Sequence, residues 1–367
     1  MKTDTAICAF LVCVAMTNLA TSSSMIWSGN ITGLGQVNSD GLAYSGLLWI
    51  PRLAGTIHPS SKLDFALSAS VLAHRQGHQD FYSGWKMTGE PYRAWIRWSD
   101  SLSEIRFGLQ RLAFGPARML RAQQWFDQLQ PQDPLRFTQG VWALRYSRYS
   151  LSNRVLQLWL VQGENELRGN DILKSTDGKL ETGGRFESPL LTGEMGISFH
   201  RREIEHFREK EQELRLGLDG FWDLGPGLWF ELTSRYTDLN NSRIHWISTL
   251  MVGGDYTVPW GNGVTITLEH LENRLGPKLS VSEEIQNVSA LGWSTALNFM
   301  DQLAGYSYYT WDTDLDLHSL FWQRTLDHWQ IQIGILGSLK GGKWRQQQYG
   351  ETVRIEMDGQ LTIIYRY

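Results

Sequence analysis

The sequence predicts an all-β fold: a transmembrane, antiparallel, up-and-down β-barrel of about 18 strands, with 16 as the alternative count. Three observations carry that prediction. Apolar and polar side chains alternate with period two through almost all of the chain after residue 25, as in strands with one apolar face. Tight connections alternate with longer ones, as they do between the two rims of a barrel. Finally, a mean hydropathy of −0.31 coexists with 17 Trp, 13 Tyr and 14 Phe in 367 residues. That aromatic load under a polar average fits a barrel whose outside meets lipid and whose inside meets water.

The first element is a leader. Ala6 to Met16 is an apolar run behind Lys2, followed by the small residues Ala20-Thr21-Ser22-Ser23. This layout predicts a secretory signal peptide over residues 1–22, cleaved after Ser22, with 23–367 as a single barrel domain. The run is shorter than the roughly 20 residues of a membrane-spanning helix. Both cysteines, Cys8 and Cys13, lie inside it, so the exported chain contains no disulfide and no thiolate metal site. Ile7 and Val12 precede them, unlike the small residue of a lipoprotein signal.

Strands are predicted at 26–37, 43–56, 63–75, 90–99, 103–113, 139–149, 154–166, 182–189, 193–204, 210–222, 227–238, 243–257, 262–272, 286–299, 305–312, 316–326, 328–338 and 351–367. Leu63-Phe65-Leu67-Ala69-Val71 and Trp329-Ile331-Ile333-Ile335 are among the clearest apolar faces. The weakest is 182–189, which could merge with its neighbour. Tight turns are predicted at 58–61, 100–102, 150–153, 190–192, 223–226, 259–261, 301–304 and 327. The long connections, 76–89, 114–138, 167–181 and 273–285, all fall in the other class. Trp98, Trp222, Trp229, Trp260 and Trp329 near the turns, and Trp142, Trp246 and Trp311 near the loops, predict two interfacial girdles.

The segment from Arg106 to Tyr149, "RFGLQRLAFGPARMLRAQQWFDQLQPQDPLRFTQGVWALRYSRY", resembles a strand-loop-strand of porin-like outer-membrane barrels, including the alginate-export type. The matching residues are Gly108 and Gln110, Phe114-Gly115, Arg118, Leu120, Trp125-Phe126-Asp127, Asp133-Pro134-Leu135 and Gly140-Val141. Leu109 stands where the family often has arginine. The last strand places Leu361, Ile363, Tyr365 and Tyr367 on one face, similar to the C-terminal signal of such barrels, which more often ends in Phe. The resemblance implies an outer membrane of the Gram-negative type, with its lipid and the barrel assembly machinery as partners. It also implies a porin-like channel with a small polar solute as cargo.

Loop 114–138 is a candidate constriction. Apolar residues at 119–120, 125–126 and 129 predict one or two helical turns within 118–130. Folded inward, the loop would carry Arg118, Arg121, Trp125, Asp127, Asp133 and Arg136 into the solute path; folded outward, it would be a lid. Strand parity, with Tyr92, Ala94, Ile96 and Trp98 outward, turns Arg93, Arg97, Arg106 and Arg145 inward, beside Gln110. By the same parity Glu194, Glu213, Asp219, Glu231 and Glu269 line an opposing acidic wall, accompanied by Arg215 and Arg235. Charged walls of opposite sign orient polar solutes and select by charge.

The expected activity is passive diffusion of small polar or anionic solutes, sugar acids among the candidates. A non-conducting adhesive or assembly barrel and, behind it, a barrel lipid hydrolase are the alternatives. Catalysis has little support: Ser198 and His200 share a face, but no Asp partner is indicated. No phosphate-binding glycine loop or His-Glu-x-x-His motif appears, and no metal or cofactor is expected. An isoelectric point near 6.2 argues against nucleic acid as a partner.

Overall fold

Alternating faces become a closed ladder in the computed structural model, which describes residues 24–39, 41–57, 62–78, 81–128, 137–138, 140–206, 209–238, 243–339, 344–348, 351–355 and 357–367. The first strands are β1 (Met25–Asn38), β2 (Leu42–Thr56), β3 (Leu63–His78), the short β4 (Phe81–Tyr82), β5 (Lys86–Ser99), β6 (Ser103–Gln110) and β7 (Val141–Tyr149). Next come β8 (Val155–Gln162), β9 (Leu180–Leu190), β10 (Gly193–His206), β11 (Glu209–Asp223), β12 (Gly227–Thr237), β13 (Trp246–Val258) and β14 (Val264–Gly276). The chain ends with β15 (Glu284–Ala296), β16 (Asp301–Thr310), β17 (Leu315–Thr325), β18 (Trp329–Gly337), β19 (Trp344–Gln348), β20 (Glu351–Ile355) and β21 (Met357–Arg366).

Every strand except β4, β19 and β20 pairs antiparallel on both sides, which gives a closed 18-stranded barrel. Closure runs through β21, whose Leu361 faces Ile333 of β18 and Gly35 of β1. The segment 182–189 is a full strand, β9, held by β8 and β10. That settles the count at 18 rather than 16. Leu361 and Ile363 are exposed on the outward face, whereas Thr362 between them and Ile364 after them are buried. At the end of the chain the Tyr367 hydroxyl accepts a hydrogen bond from Trp49 Nε1 at 3.0 Å.

Several boundaries differ from the sequence expectation. The last barrel strand begins at Met357, not 351, because β20 pairs with β19 in a separate hairpin. The stretch 301–304 is strand rather than turn: Asn298 Oδ1 accepts from the amides of Met300 and Asp301, closing the turn earlier. No helix forms within the described part of 118–130. A shift of register between Ser68 and Ala69 takes Tyr92 out of the outward alternation, and its hydroxyl lies 3.4 Å from Thr138 Oγ1. Trp229 is not in a girdle, since it points inward and is 3% exposed. The leader and Cys8 and Cys13, with Asp133 and Arg136, lie outside the described residues.

Candidate functional site: an interior constricted by two loops

Past Gln110 the chain leaves the β6–β7 ladder. Gln110 is fully buried, and its Nε2 donates to Ala143 O at 2.9 Å. Gly115, at φ +89°, then turns the chain into the barrel. A loop crossing a barrel carries backbone N–H groups that find no ladder and must be satisfied by side chains. Two carboxylates do this. Glu269 accepts from the amides of Arg118 (2.7 Å), Met119 (2.9 Å) and Leu120 (2.5 Å), and from Trp229 Nε1 (3.0 Å). Glu231 accepts from Ala117 N at 3.0 Å and Gln123 N at 2.8 Å, while Gln123 Nε2 donates to Asp219 at 2.9 Å.

Apolar side chains seat the same loop on three stretches of wall. Trp125, Phe126 and Leu112 pack against Val141, Ala143, Trp159 and Val161 of β7 and β8. Met119 packs against Ala290, Tyr308, Leu317, Phe321 and Leu336, from β15 to β18. Ala117 and Ala122 meet Trp229 and Met251. Near its start, Asp127 pairs with Arg111 at 2.8 Å and Arg121 at 3.5 Å, and Arg118 pairs with Asp255 and lies over Trp229. The loop is therefore an inward one, built on carboxylate-capped amides rather than on a helix.

A second loop, 163–179, braces the first. Gly169 lies against the Gln124 carbonyl, and Asn170 donates from its backbone to Gln124 O and from Nδ2 to Arg121 O. Its own anchors are buried ion pairs: Asp171 with Arg202 (2.6 Å) and with Arg215, and Arg168 with Glu181. Glu213 joins Arg202 at 2.6 Å and Arg215 at 2.5 Å. Trp159 Nε1 donates to His200 Nδ1 at 3.3 Å, so Nε2 carries the imidazole proton and donates it to Glu181 at 3.0 Å. Ser198 donates no proton to His200; its hydroxyl lies 2.8 Å from Arg185 Nη1.

The two charge clusters read from parity meet different fates. Arg97, Arg106 and Arg145 all reach one carboxylate, Glu104, at 3.1, 3.1 and 2.5 Å, and Arg97 also binds Asp64 at 2.7 Å. Arg93 donates to Thr138 and lies over the Tyr92 ring, 4.0 Å from its centroid. The acidic wall does not stand opposite as a free surface. Glu213, Asp219, Glu231 and Glu269 are buried beneath the loops and arginines they hold, and of the five only Glu194 is exposed. Desolvated carboxylates inside a barrel need donors, and the loops are those donors.

What the loops leave uncovered is a cavity of about 530 Å³ against β1, β2, β3, β5, β6 and β21. Arg52, Arg93, Arg106, Arg111 and Arg366 line it, with Trp95, Asn30, Ser68 and Tyr367, and no Asp or Glu is among its described lining residues. Parity alone pointed to Arg93 and Arg106. Arg52 shared the inward face of strand 43–56 and was legible there, whereas Arg111 and Arg366 depend on where the chain goes after a strand. Among the described residues, no group of three His, Cys, Asp or Glu is placed to hold a metal ion.

This closed barrel with an inward loop has the fold of the porin-like outer-membrane β-barrels. No protein-family model matches the chain, and no curated protein matches it. Solved structures do. An anion-selective porin from Comamonas acidovorans aligns over 94% of this chain and 100% of its own, at 14% identity and a TM-score of 0.50. Pseudomonas aeruginosa OpdQ aligns over 95% and 99%, at 9% identity and a TM-score of 0.57. Wzi, a carbohydrate-binding β-barrel involved in capsule assembly in Escherichia coli, aligns over 98% and 88%, at 11% identity and a TM-score of 0.54.

Proposed function

We propose that the protein is an outer-membrane channel for passive diffusion of small anionic solutes, with sugar acids among the candidates. One observation carries this reading: the space left beside the inward loop is lined by five arginines and, among its described residues, no Asp or Glu, with only Arg106 and Arg111 of the five in ion pairs, to Glu104 and Asp127 behind them. In a narrow, low-dielectric passage, the positive charge of Arg52, Arg93 and Arg366, for which no ion pair forms among the described residues, raises the local concentration of anions and repels cations. The loop sets the width and the arginine wall sets the sign. No bond is made or broken, so neither a nucleophile nor a cofactor is required. The apolar outward face supports a membrane location, reached by export with removal of residues 1–22. The strand bearing Leu361, Ile363, Tyr365 and Tyr367 would be the element presented to the assembly machinery. The C. acidovorans porin of the same fold is anion-selective, which agrees with this reading.

A second reading is a plugged barrel that binds a carbohydrate or an assembly partner without conducting. It is favoured by the burial of Leu48, Ala66 and Thr362, which lie on the wall that the first loop leaves uncovered. The carbohydrate-binding barrel Wzi shares the fold. Planar-bilayer recording under a potassium chloride gradient separates the two. Stepwise current with a reversal potential shifted toward chloride supports the channel. A heat-modifiable barrel without current selects the plugged reading.

A further inference from the structure

The outward face of β16 and β17 carries more than apolar side chains. Exposed Leu320 marks that face of β17, since Leu317 and Phe321 turn inward to Met119. Asp316 and His318 share it, two residues apart. Ser307 of β16 is the cross-strand partner of His318, and its Oγ lies 2.9 Å from His318 Nδ1. On the other side of the ring, His318 Nε2 lies 3.0 Å from Asp316 Oδ2. An ionised carboxylate only accepts, so Nε2 carries the imidazole proton and Nδ1 is left to accept from the Ser307 hydroxyl. Asp316 is 4% exposed and fixed by two further donors, Ser338 Oγ at 2.5 Å and Leu339 N at 3.0 Å, whereas the His318 side chain stays 39% exposed. Serine, imidazole and carboxylate are thus joined in the order that makes a hydroxyl nucleophilic.

Depth and shape select the bond it would attack. Ser307 stands three residues before the end of β16 and His318 three after the start of β17, about 7 Å inside the long-loop rim for a tilted strand. Trp311, exposed in the turn between them, marks the interface and donates from Nε1 to the nearby Ser289 Oγ at 2.9 Å. At that level the ester bonds of a membrane lipid join its acyl chains to its headgroup, within reach of water. A recess of about 570 Å³ includes Ser307 and His318 in its lining and is walled by Val252, Gly254, Leu268 and Leu291. Leu291 is the cross-strand partner of Ser307 on β15, so an acyl chain lying in the recess brings its carbonyl to the hydroxyl.

We propose that Ser307, His318 and Asp316 form an acyl-ester hydrolase site for membrane lipid on the outer wall of the barrel. The inference rests on the reading of this wall as lipid-facing, and it is independent of conduction through the lumen. Ser307 Oγ attacks the acyl carbonyl carbon and passes its proton to His318 Nδ1; the ester C–O bond breaks, and the leaving oxygen takes that proton. Water, deprotonated by the same nitrogen, then cleaves the acyl-serine. One ester and one water give one fatty acid and one alcohol. Asp316 touches no substrate and is a positioning residue, holding the ring and its tautomer.

The test is release of fatty acid from dioleoylphosphatidylcholine in mixed micelles by the full chain purified from membranes. Wild type is expected to release it, Ser307→Ala to abolish release, and His318→Ala to lower it roughly 10²- to 10⁴-fold. Asp316→Asn should lower kcat with little change in KM, and Asp316→Glu should recover part of the loss. Ser248→Ala, on the outward face of β13 with its hydroxyl 3.2 Å from Ser234, should change nothing. Should the variants fail to fold, wild type still decides: a long-chain alkylsulfonyl fluoride should form its adduct on Ser307, located by peptide mass. A heat-modifiable wild type that releases no fatty acid overturns the proposal, as do release that survives in Ser307→Ala and the lack of an adduct on Ser307. A chain that neither inserts into lipid nor shows heat-dependent mobility would instead refute the membrane reading itself.

Discussion

Replacing Glu269 by Gln tests whether carboxylates hold the constricting loop. The substitution keeps the shape of the side chain and removes its charge. Glu269 Oε1 accepts from Arg118 N and Trp229 Nε1, and Oε2 from Met119 N and Leu120 N. An amide retains one accepting oxygen, and its NH₂ group must then face two N–H donors. Two bonds to a charged acceptor are lost, at roughly 1.5–3 kcal/mol each, or about 3–6 kcal/mol in loop docking. That corresponds to roughly a 10²- to 10⁴-fold shift from docked toward undocked loop. Single-channel recording should show a larger mean conductance with more frequent fluctuation than wild type, and near-unchanged barrel stability, because no ladder bond is touched. Conductance and noise identical to wild type in both Glu269→Gln and Glu231→Gln would refute the latch.

Three further outcomes follow from the same geometry. Gly115→Ala would place a Cβ 2.2 Å from Glu231 Oε1 at a backbone φ of +89°, so the loop must move; conductance should rise, whereas Gly33→Ala, with nothing within 4 Å, should leave it unchanged. Neutralising Arg93 and Arg106 together as Gln should bring the reversal potential in a salt gradient closer to zero, and an unaltered potential would remove these arginines from selectivity. Leu361→Arg puts a charge on the outward face of the closing strand and should cost about 2–4 kcal/mol near midplane; a urea midpoint equal to wild type would show that this face does not meet lipid.

Much of the fold was legible because strand geometry is local. Alternation in a run such as Trp329-Ile331-Ile333-Ile335 defines a strand and its two faces without reference to any partner, and the tight turns define which strands neighbour each other. Legibility failed where local pattern and long-range contact competed. Apolar pairs at 119–120 and 125–126 suggested a helix, but they are separate anchors reaching different walls, Met119 to β15–β18 and Trp125 to β7 and β8. Trp229 looked like a girdle residue from its place beside a turn, yet Glu269, 40 positions along the chain, draws it inward. The separate β19–β20 hairpin shortened the last strand for a similar reason, since 351–355 finds its partner outside the barrel.

By itself the sequence determined that the chain forms strands and which side chains share a face, since each depends on residues a few positions apart, whereas the pairing of β9 with β8 and β10 was needed to fix their number at 18. Only the tertiary structure decided which charges remain unbalanced. Glu104 meets Arg145 across 41 positions, and Ala117 meets Glu231 across 114. Parity places a charge on the inward face but says nothing of its height or of what crosses the barrel to reach it. The path of two loops, set by where buried carboxylates and apolar side chains find partners, covers the acidic wall and leaves a cavity on which Arg52, Arg93 and Arg366 face the interior, while Arg97, Arg106 and Arg145 are drawn together on Glu104.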